Sequence, residues 1–331
     1  MMLAMLGLLL TIQDPPADKV SPLELSIRAD RDSVTLGEEI QLDVTLKNNS
    51  GTAAAVAPLM LDERSVSFEV AWEQAGKIQT FEVSILNGDP HIAKQLQLDK
   101  VSLRGGASFT TAVKLPAVAV GNWTITGRYR GAGEKESKSA AVQIKVEPAK
   151  GAGGAEMTSL AAKVVLEFEG KERTVWIDLL PRAAPNSVCQ FVSLAKRGFF
   201  NGLKVFSVVR KNWIRTGCPY NDGFGTPGFT FKTEAEDQVK SVPPLLHDEG
   251  VVALSQSTKL GYQGSQFFVC LRKLEYLAGK FTIIGKLDLT KGDPDPGAKV
   301  LKDAARVAEP DKDSDRPTND IIIKSLEIVA R

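Results

Sequence analysis

Few side chains in this sequence are placed for covalent or metal chemistry. Histidine occurs twice, as His91 and His247, and cysteine three times, as Cys189, Cys218 and Cys270. A structural zinc site needs clustered thiolate and imidazole ligands, and neither a Cys-x-x-Cys pair nor a His/Cys cluster is present. An odd, sparse set of cysteines is not a disulfide framework either. Cys218 stands between Gly217 and Pro219, with no flanking His or Asp to turn its thiol into a nucleophile. Cys189 and Cys270 read as small buried apolar residues. His91, in Asp89-Pro90-His91, reads as a solvent-facing turn residue. What remains is non-covalent chemistry carried by amides, hydroxyls and rings. Gln266 and Phe268 are two apart, so on a strand they share one face and set a hydrogen-bonding amide beside an apolar ring.

The elements around them alternate in character. Val164, Leu166 and Phe168 recur with period two, and Val175, Ile177 and Leu179 answer them across Glu169-Gly170-Lys171, the pattern of a half-buried hairpin. Pro185 suits the first position of a helix. Val188, Phe191, Val192 and Ala195 then mark one buried face, and Gly198 ends the helix. A second helix is expected from Ala298 to Val307. This half therefore reads as a β-barrel with helical covers.

The first half has only the strand period. Leu23, Leu25 and Ile27 alternate with polar residues, as do Ile40, Leu42, Val44 and Leu46. Val66, Phe68 and Val70 follow, then Phe81, Val83 and Ile85, then Phe109 and Val113. Trp123, Ile125, Gly127 and Tyr129, and finally Val142, Ile144 and Val146, close the set. Seven or eight short strands over residues 22–147 predict a sandwich, with Trp72 and Trp123 as core aromatics. The run from Val34 to Ile40 and the Gly121-Asn122-Trp123 strand resemble bacterial immunoglobulin-like domains. Residues 148–157 are Gly- and Ala-rich and read as a flexible linker, and residues 158–331 form the second domain.

The 331 residues fit two domains of ordinary size. A net charge of +1, from 41 basic and 40 acidic residues, gives no footprint for nucleic acid or an anionic membrane. The run Met1 to Ile12 is too short for a membrane span, which takes ~20 apolar residues, and has the length of a secretory signal core, although it lacks a basic n-region. Residues 1–21 are thus expected to be a signal peptide or tail, and the protein to be exported, periplasmic or extracellular.

A series of blocks in the second half carries a more specific likeness. Ala184-Pro185-Asn186-Ser187-Val188, Gly198-Phe199-Phe200-Asn201-Gly202, Gly228-Phe229-Thr230-Phe231, Gly250-Val251-Val252-Ala253-Leu254-Ser255, Gly264-Ser265-Gln266-Phe267-Phe268, Tyr276-Leu277-Ala278-Gly279-Lys280-Phe281 and Asp320-Ile321-Ile322-Ile323 occur in order. Together they resemble the cyclophilins, the cyclophilin-type peptidyl-prolyl cis-trans isomerases, over about 170 residues. The resemblance implies an eight-stranded antiparallel β-barrel with a helix at each end. The whole chain is then all-β dominated, an Ig-like β-sandwich followed by that barrel capped by two helices.

The resemblance also implies a site. Phe206, Ile214, Phe268 and Leu277 fall where the family lines its proline pocket. Trp213 stands where the family has Phe, Phe281 where many members have His, and Tyr276 where many have Trp. Gln266, Ser255 and Gln256 match positions that contact the peptide. The family's Phe-His-Arg reads Phe206-Ser207-Val208, so the catalytic arginine is Val208, and the Gln that orients it is Thr216. Rotation about an X-Pro bond faces ~18–20 kcal/mol. A hydrogen-bond donor at the twisted amide lowers it, and valine donates nothing. Losing such a donor costs ~2–4 kcal/mol, or roughly 30- to 1000-fold in rate. Arg210, two residues beyond Val208, is the expected substitute; Arg215 is expected to point away from the pocket.

Three readings compete: an isomerase of weak or altered activity, a non-catalytic proline-peptide binder or chaperone, and an adaptor working through its sandwich. The expected substrate is a proline-containing polypeptide, with a protein partner on the sandwich in the third reading. The chain is expected to be a monomer, with no cofactor and no metal.

Overall fold

The computed structural model describes residues 22–56, 65–84, 101–130, 136–209, 211–241, 243–256, 261–307 and 315–331. The apolar run at residues 1–21, Ile85, His91 and Arg210 lie outside them.

The first half is two facing sheets with a small two-stranded ladder, Ala54–Val56 against Val101–Leu103, beside them. One holds β1 (Leu23–Ala29), β3 (Glu39–Asn48) and β6 (Ser108–Pro116), with β3 in the centre. The other holds β2 (Ser33–Thr35), β4 (Val66–Gln74), β5 (Lys77–Val83), β7 (Gly121–Tyr129) and β8 (Ser137–Glu147), in the order β2-β8-β7-β4-β5. The expected alternation decides the faces: Ile40, Leu42, Val44 and Leu46 turn inward against Phe68, Val70, Trp72, Trp123 and Ile125. Both indoles are core residues with their N–H groups satisfied, Trp72 donating to the Val120 carbonyl at 3.0 Å and Trp123 to that of Ala119 at 3.1 Å.

The expected flexible linker is instead a small hairpin. Ala149–Lys150 pairs with Glu156–Met157, and the Gly151 N–H reaches the Ala155 carbonyl at 2.8 Å. Gly153 and Gly154, at φ 73° and 81°, take the left-handed backbone that closes so tight a turn.

The second half is the barrel. Its strands are β9 (Leu160–Phe168), β10 (Lys171–Leu179), β11 (Ser207–Val209), β12 (Trp213–Thr216), β13 (Val251–Gln256), β14 (Tyr262–Cys270), β15 (Ile283–Leu287) and β16 (Ile322–Ala330). They run in the order β11-β12-β14-β13-β15-β10-β9-β16, and the ladders are antiparallel. The segment before β11 returns to β16 and closes the circle: the Val205 N–H reaches the Ile321 carbonyl at 2.9 Å, and the Ile323 N–H that of Leu203 at 2.8 Å. Helix α1 (Pro185–Lys196) and helix α3 (Gly297–Val307) are the two expected covers; a short α2 (Ala235–Lys240) lies between them in sequence. Val300, Leu301, Ala304 and Val307 of α3 face the barrel interior, the spacing of one helical face.

Helix α1 buries more than the face its apolar period marks. Ser187, Cys189, Gln190 and Ser193 are buried as well, because the sandwich packs on the helix side that would otherwise meet water. Gln190 donates to the Ser84 carbonyl, and the Cys189 thiol sits 3.9 Å from that of Pro116. Next to the helix, the Arg182 guanidinium lies 4.5 Å over the Trp72 ring and bonds Gln74, while Gln79 donates to the Arg182 carbonyl at 2.9 Å. One apolar core runs through both halves. At the helix start, Glu234 accepts from the N–H groups of Asn186 (3.1 Å) and Ser187 (2.8 Å), two donors with no partner inside the helix. Burial raises the pKa of that carboxyl, against the hydrogen bonds that lower it.

Candidate active site

The barrel wall has two faces, and alternation assigns residues of β11 and β12 to them. Val208 pairs with Ile214, and Thr216 with Phe267. The even-numbered residues of β11 and β12 turn inward with their partner Phe267: Ile214, Thr216 and Phe267 line the apolar void of about 50 Å³ inside the barrel, and Val208, 1% exposed, belongs to the same core. The Thr216 hydroxyl donates to the Lys204 carbonyl at 2.9 Å. Val208, Ile214 and Thr216 are therefore wall residues of the interior, not walls of a peptide pocket as the family positions implied. The reason is the register of a regular hairpin, which sends every second side chain to the core.

The odd-numbered residues face out. Trp213 stands opposite Cys270, and Arg215 opposite Phe268 on one side and Ser207 on the other. Around Phe268 a second, separate apolar cluster forms with Val251, Ala253, Cys270, Leu274, Leu277 and Ile283, edged by the half-buried Trp213 and Phe281. Trp213 lies 5.7 Å from Phe268, and Phe281 meets Phe268 edge-on at 5.2 Å. Trp213, Phe268, Leu277 and Phe281 are thus brought together as an outward-facing cup. Tyr276 is 52% exposed at its margin, on the single turn Glu275–Leu277 that seats Leu277. Phe206 belongs to neither cluster. Its ring lies beneath the Arg215 guanidinium, 4.9 Å from centroid to carbon, so it supports that side chain and does not line the cup.

His247, which no motif reading singled out, closes the back of the cup. It is 1% exposed, stacked at 6.2 Å on Phe268 and edge-on to Phe281 at 6.5 Å, and neither ring nitrogen makes a well-formed hydrogen bond, the Phe281 backbone being its nearest polar neighbour. Burial pushes its pKa down to about 4, against smaller raising effects from the Phe281 backbone and Asp248.

Beside the cup opens a cavity of about 300 Å³, lined by Arg215, Gln266, Ser255, Gln256 and the loop Asp222 to Thr226. Gln266 and Phe268 share the outer face, as their spacing requires. The Gln266 amide donates to the carbonyls of Gly223 and Gly225, each at 2.8 Å, which orients its own oxygen as a free acceptor. Gln256 is held by the Lys280 carbonyl at 2.7 Å. The loop is tied by Cys218, whose sulfur accepts the N–H groups of Gly223 and Gly225 at 3.3 Å while its thiol points at Asp222 Oδ1. Gly217 (φ +86°) lets this turn lie on β14: a Cβ there would stand 2.4 Å from the Ser265 carbonyl oxygen. All three cysteines are free and buried.

Arg215, expected to point away from the pocket, instead lines this cavity with its guanidinium. No three His, Cys, Asp or Glu residues among those described are grouped to hold a metal. The site offers a hydrophobic cup, a polar rim and one cation, and holds its groups for binding and hydrogen bonding.

This outward cup on a closed antiparallel barrel with two helical covers defines a class. A family model for the cyclophilin type peptidyl-prolyl cis-trans isomerase/CLD matches residues 164–328. A Helicobacter pylori peptidyl-prolyl cis-trans isomerase is 32% identical over 133 residues, 40% of this chain and 78% of the relative. Peptidyl-prolyl cis-trans isomerase B of Bacillus subtilis is 36% identical over 110 residues, 33% of this chain and 73% of the relative. Among solved structures, a Cryptosporidium parvum cyclophilin type isomerase in the presence of the dipeptide Ala-Pro has a TM-score of 0.41 at 24% identity, covering 52% of this chain and 98% of that one. The chain belongs to the cyclophilin-type peptidyl-prolyl cis-trans isomerase family through its second half.

Proposed function

We propose that the barrel half catalyses cis–trans rotation about X-Pro bonds of polypeptides, with a rate altered by the loss of the usual strand arginine. One observation carries this: the apolar Trp213–Phe268–Leu277–Phe281 cluster adjoins a polar cavity whose Gln266 oxygen is free to accept a peptide N–H. Seating the prolyl ring fixes one flank of the bond while the rim holds the other. No covalent step is needed. Exchange NMR on an Ala-Pro peptide with micromolar full-length protein tests it: cis and trans resonances should exchange faster than in peptide alone. Exchange at the uncatalysed rate, tens of seconds or slower, sinks the enzyme reading.

The inward turn of Val208 favours a second reading, a proline-peptide binder without turnover. Saturable binding in the same titration with no gain in exchange would select it. Export of the substrate proteins rests on the Met1 to Ile12 run alone. Its test is the mass of the mature N-terminus and the compartment in which the protein is found; an intact Met1 in the cytosol removes it.

A further inference from the structure

The isomerase reading leaves a chemical gap, since Val208 faces the core and the twisted amide still needs a donor. Several features converge on one neighbour. Arg215 sits on β12, directly across the ladder from Phe268 at the cup floor, where paired Cα atoms are ~4.5–5.5 Å apart. It is the one cation among the described residues lining the adjoining cavity, which it shares with Gln266 and Ser255. Phe206 supports its guanidinium from below at 4.9 Å. Its Nε is buried without a hydrogen-bond partner, and although Asp222 lines the same cavity and the charge of Asp315 reaches it, neither forms an ion pair with it. A guanidinium held half-buried, stacked on a ring and bonded to nothing is poised to donate to something else.

We infer that Arg215 is the catalytic donor of this chain, reaching from the strand neighbouring the usual one to hydrogen-bond the X-Pro amide as it twists. When resonance is lost the prolyl nitrogen gains basicity, so a charge-assisted N–H donor there gains strength in the transition state over the ground state, and the barrier falls. The Gln266 oxygen accepts the peptide N–H on the other side of the bond, and Phe268 carries the ring. No bond is made or broken and no proton changes owner. Burial lowers the Arg215 pKa, with Asp315 and Cys218 acting to raise it. The charge survives at neutral pH because a guanidinium starts so high, and its weak solvation strengthens any bond it makes.

The inference rests on the isomerase reading, and the experiment separates the two. The full-length protein, Arg215→Met and Arg215→Lys are compared for peptide affinity by titration and for exchange at saturating peptide. Arg215→Met keeps length and packing over Phe206 without the charge. The expected result is affinity within about threefold and exchange slowed about 30- to 1000-fold, the range for a lost transition-state donor. Arg215→Lys should stay at least about tenfold below wild type, since a lysine lacks the planar fork. Wild-type catalysis with exchange in Arg215→Met unchanged within threefold overturns the Arg215 assignment and leaves the isomerase reading standing. A wild type that binds peptide without accelerating exchange overturns both. Should Arg215→Met fail to fold, judged by near-UV circular dichroism, Arg215→Lys decides: full exchange there overturns the assignment. Loss of exchange in Arg210→Ala alone also overturns it.

Discussion

Phe267 and Phe268 are consecutive and equally buried, each 3% exposed, yet they belong to different parts of the molecule. Phe267 points inward, edge-on to Phe191 and Phe200 at 5.7 Å each, within a core that also takes in helix α1 and the sandwich. Phe268 points outward, among Trp213, Phe281 and an unbonded His247. The inner cluster is sealed by aliphatic residues and needs nothing further. The outer one keeps half-buried rings at its edge and a cation beside it. One strand thus divides its side chains between the inner core and the outer cluster by the parity of its residues.

The largest effect that tests this division is Phe267→Ala. It should cost about 3–5 kcal/mol, the usual figure for emptying an aromatic core position, while Trp213→Ala, already half solvated, should cost less than half of that. Denaturant titration of both variants measures it, and equal losses would break the contrast. Next comes the pH response of His247. Its folded pKa of about 4 lies below the ordinary ~6.5 of the unfolded chain, so the unfolded state takes up the proton first as pH falls. The stabilisation is complete above about pH 6.5 and is lost on the way down to about pH 4, on the order of 3 kcal/mol in all. His247→Phe should flatten that part of the stability profile. A profile unchanged by the substitution would mean that the imidazole is solvated and the cup open at its back.

How much of this was legible follows the range of the forces. The sandwich strands, the start of α1 at Pro185 and the buried face of α3 depend on local period and capping, and the sequence shows them. That the polar side of α1 is also buried depends on Ser84 and Pro116, which lie 106 and 73 residues before their partners in the other half of the chain, and no local pattern marks it. In the site, Phe268, Leu277 and Phe281 were visible by resemblance. Val208, Ile214, Thr216 and Arg215 were assigned to the wrong faces because β12 is only Trp-Ile-Arg-Thr, too short and too mixed for its period to say which face is wet. Its partner β14 reads Phe267-Phe268 across both faces and gives no help. His247 lies outside any strand and has no period at all.

A third test moves from stability to binding. Trp213→Ala should weaken proline-peptide binding by about tenfold, ~1.4 kcal/mol, because the indole forms an open wall of the cup; Phe267→Leu, on the inner face, should leave affinity unchanged if it folds. Peptide titration followed by the shifts of the prolyl signals decides, and a reversed order would place the binding surface elsewhere.

The smallest expected effect concerns Phe224, which is 78% exposed at the mouth of the cavity that Arg215 and Gln266 share. A ring that exposed contributes little to folding, so Phe224→Ala should change stability by no more than about 0.5 kcal/mol. The loop that carries it is held by the Cys218 sulfur and by the Gln266 amide, so the ring is presented at a defined place. If the cavity receives the residue preceding proline, part of the ring is covered when that residue is apolar and left wet when it is glycine. Burying ~40 Å² of apolar surface at ~25 cal/mol per Å² gives about 1 kcal/mol. Phe-Pro peptides should therefore lose about fivefold in affinity on Phe224→Ala, and Gly-Pro peptides almost nothing. Equal losses for the two peptides would show that the cavity does not read that position.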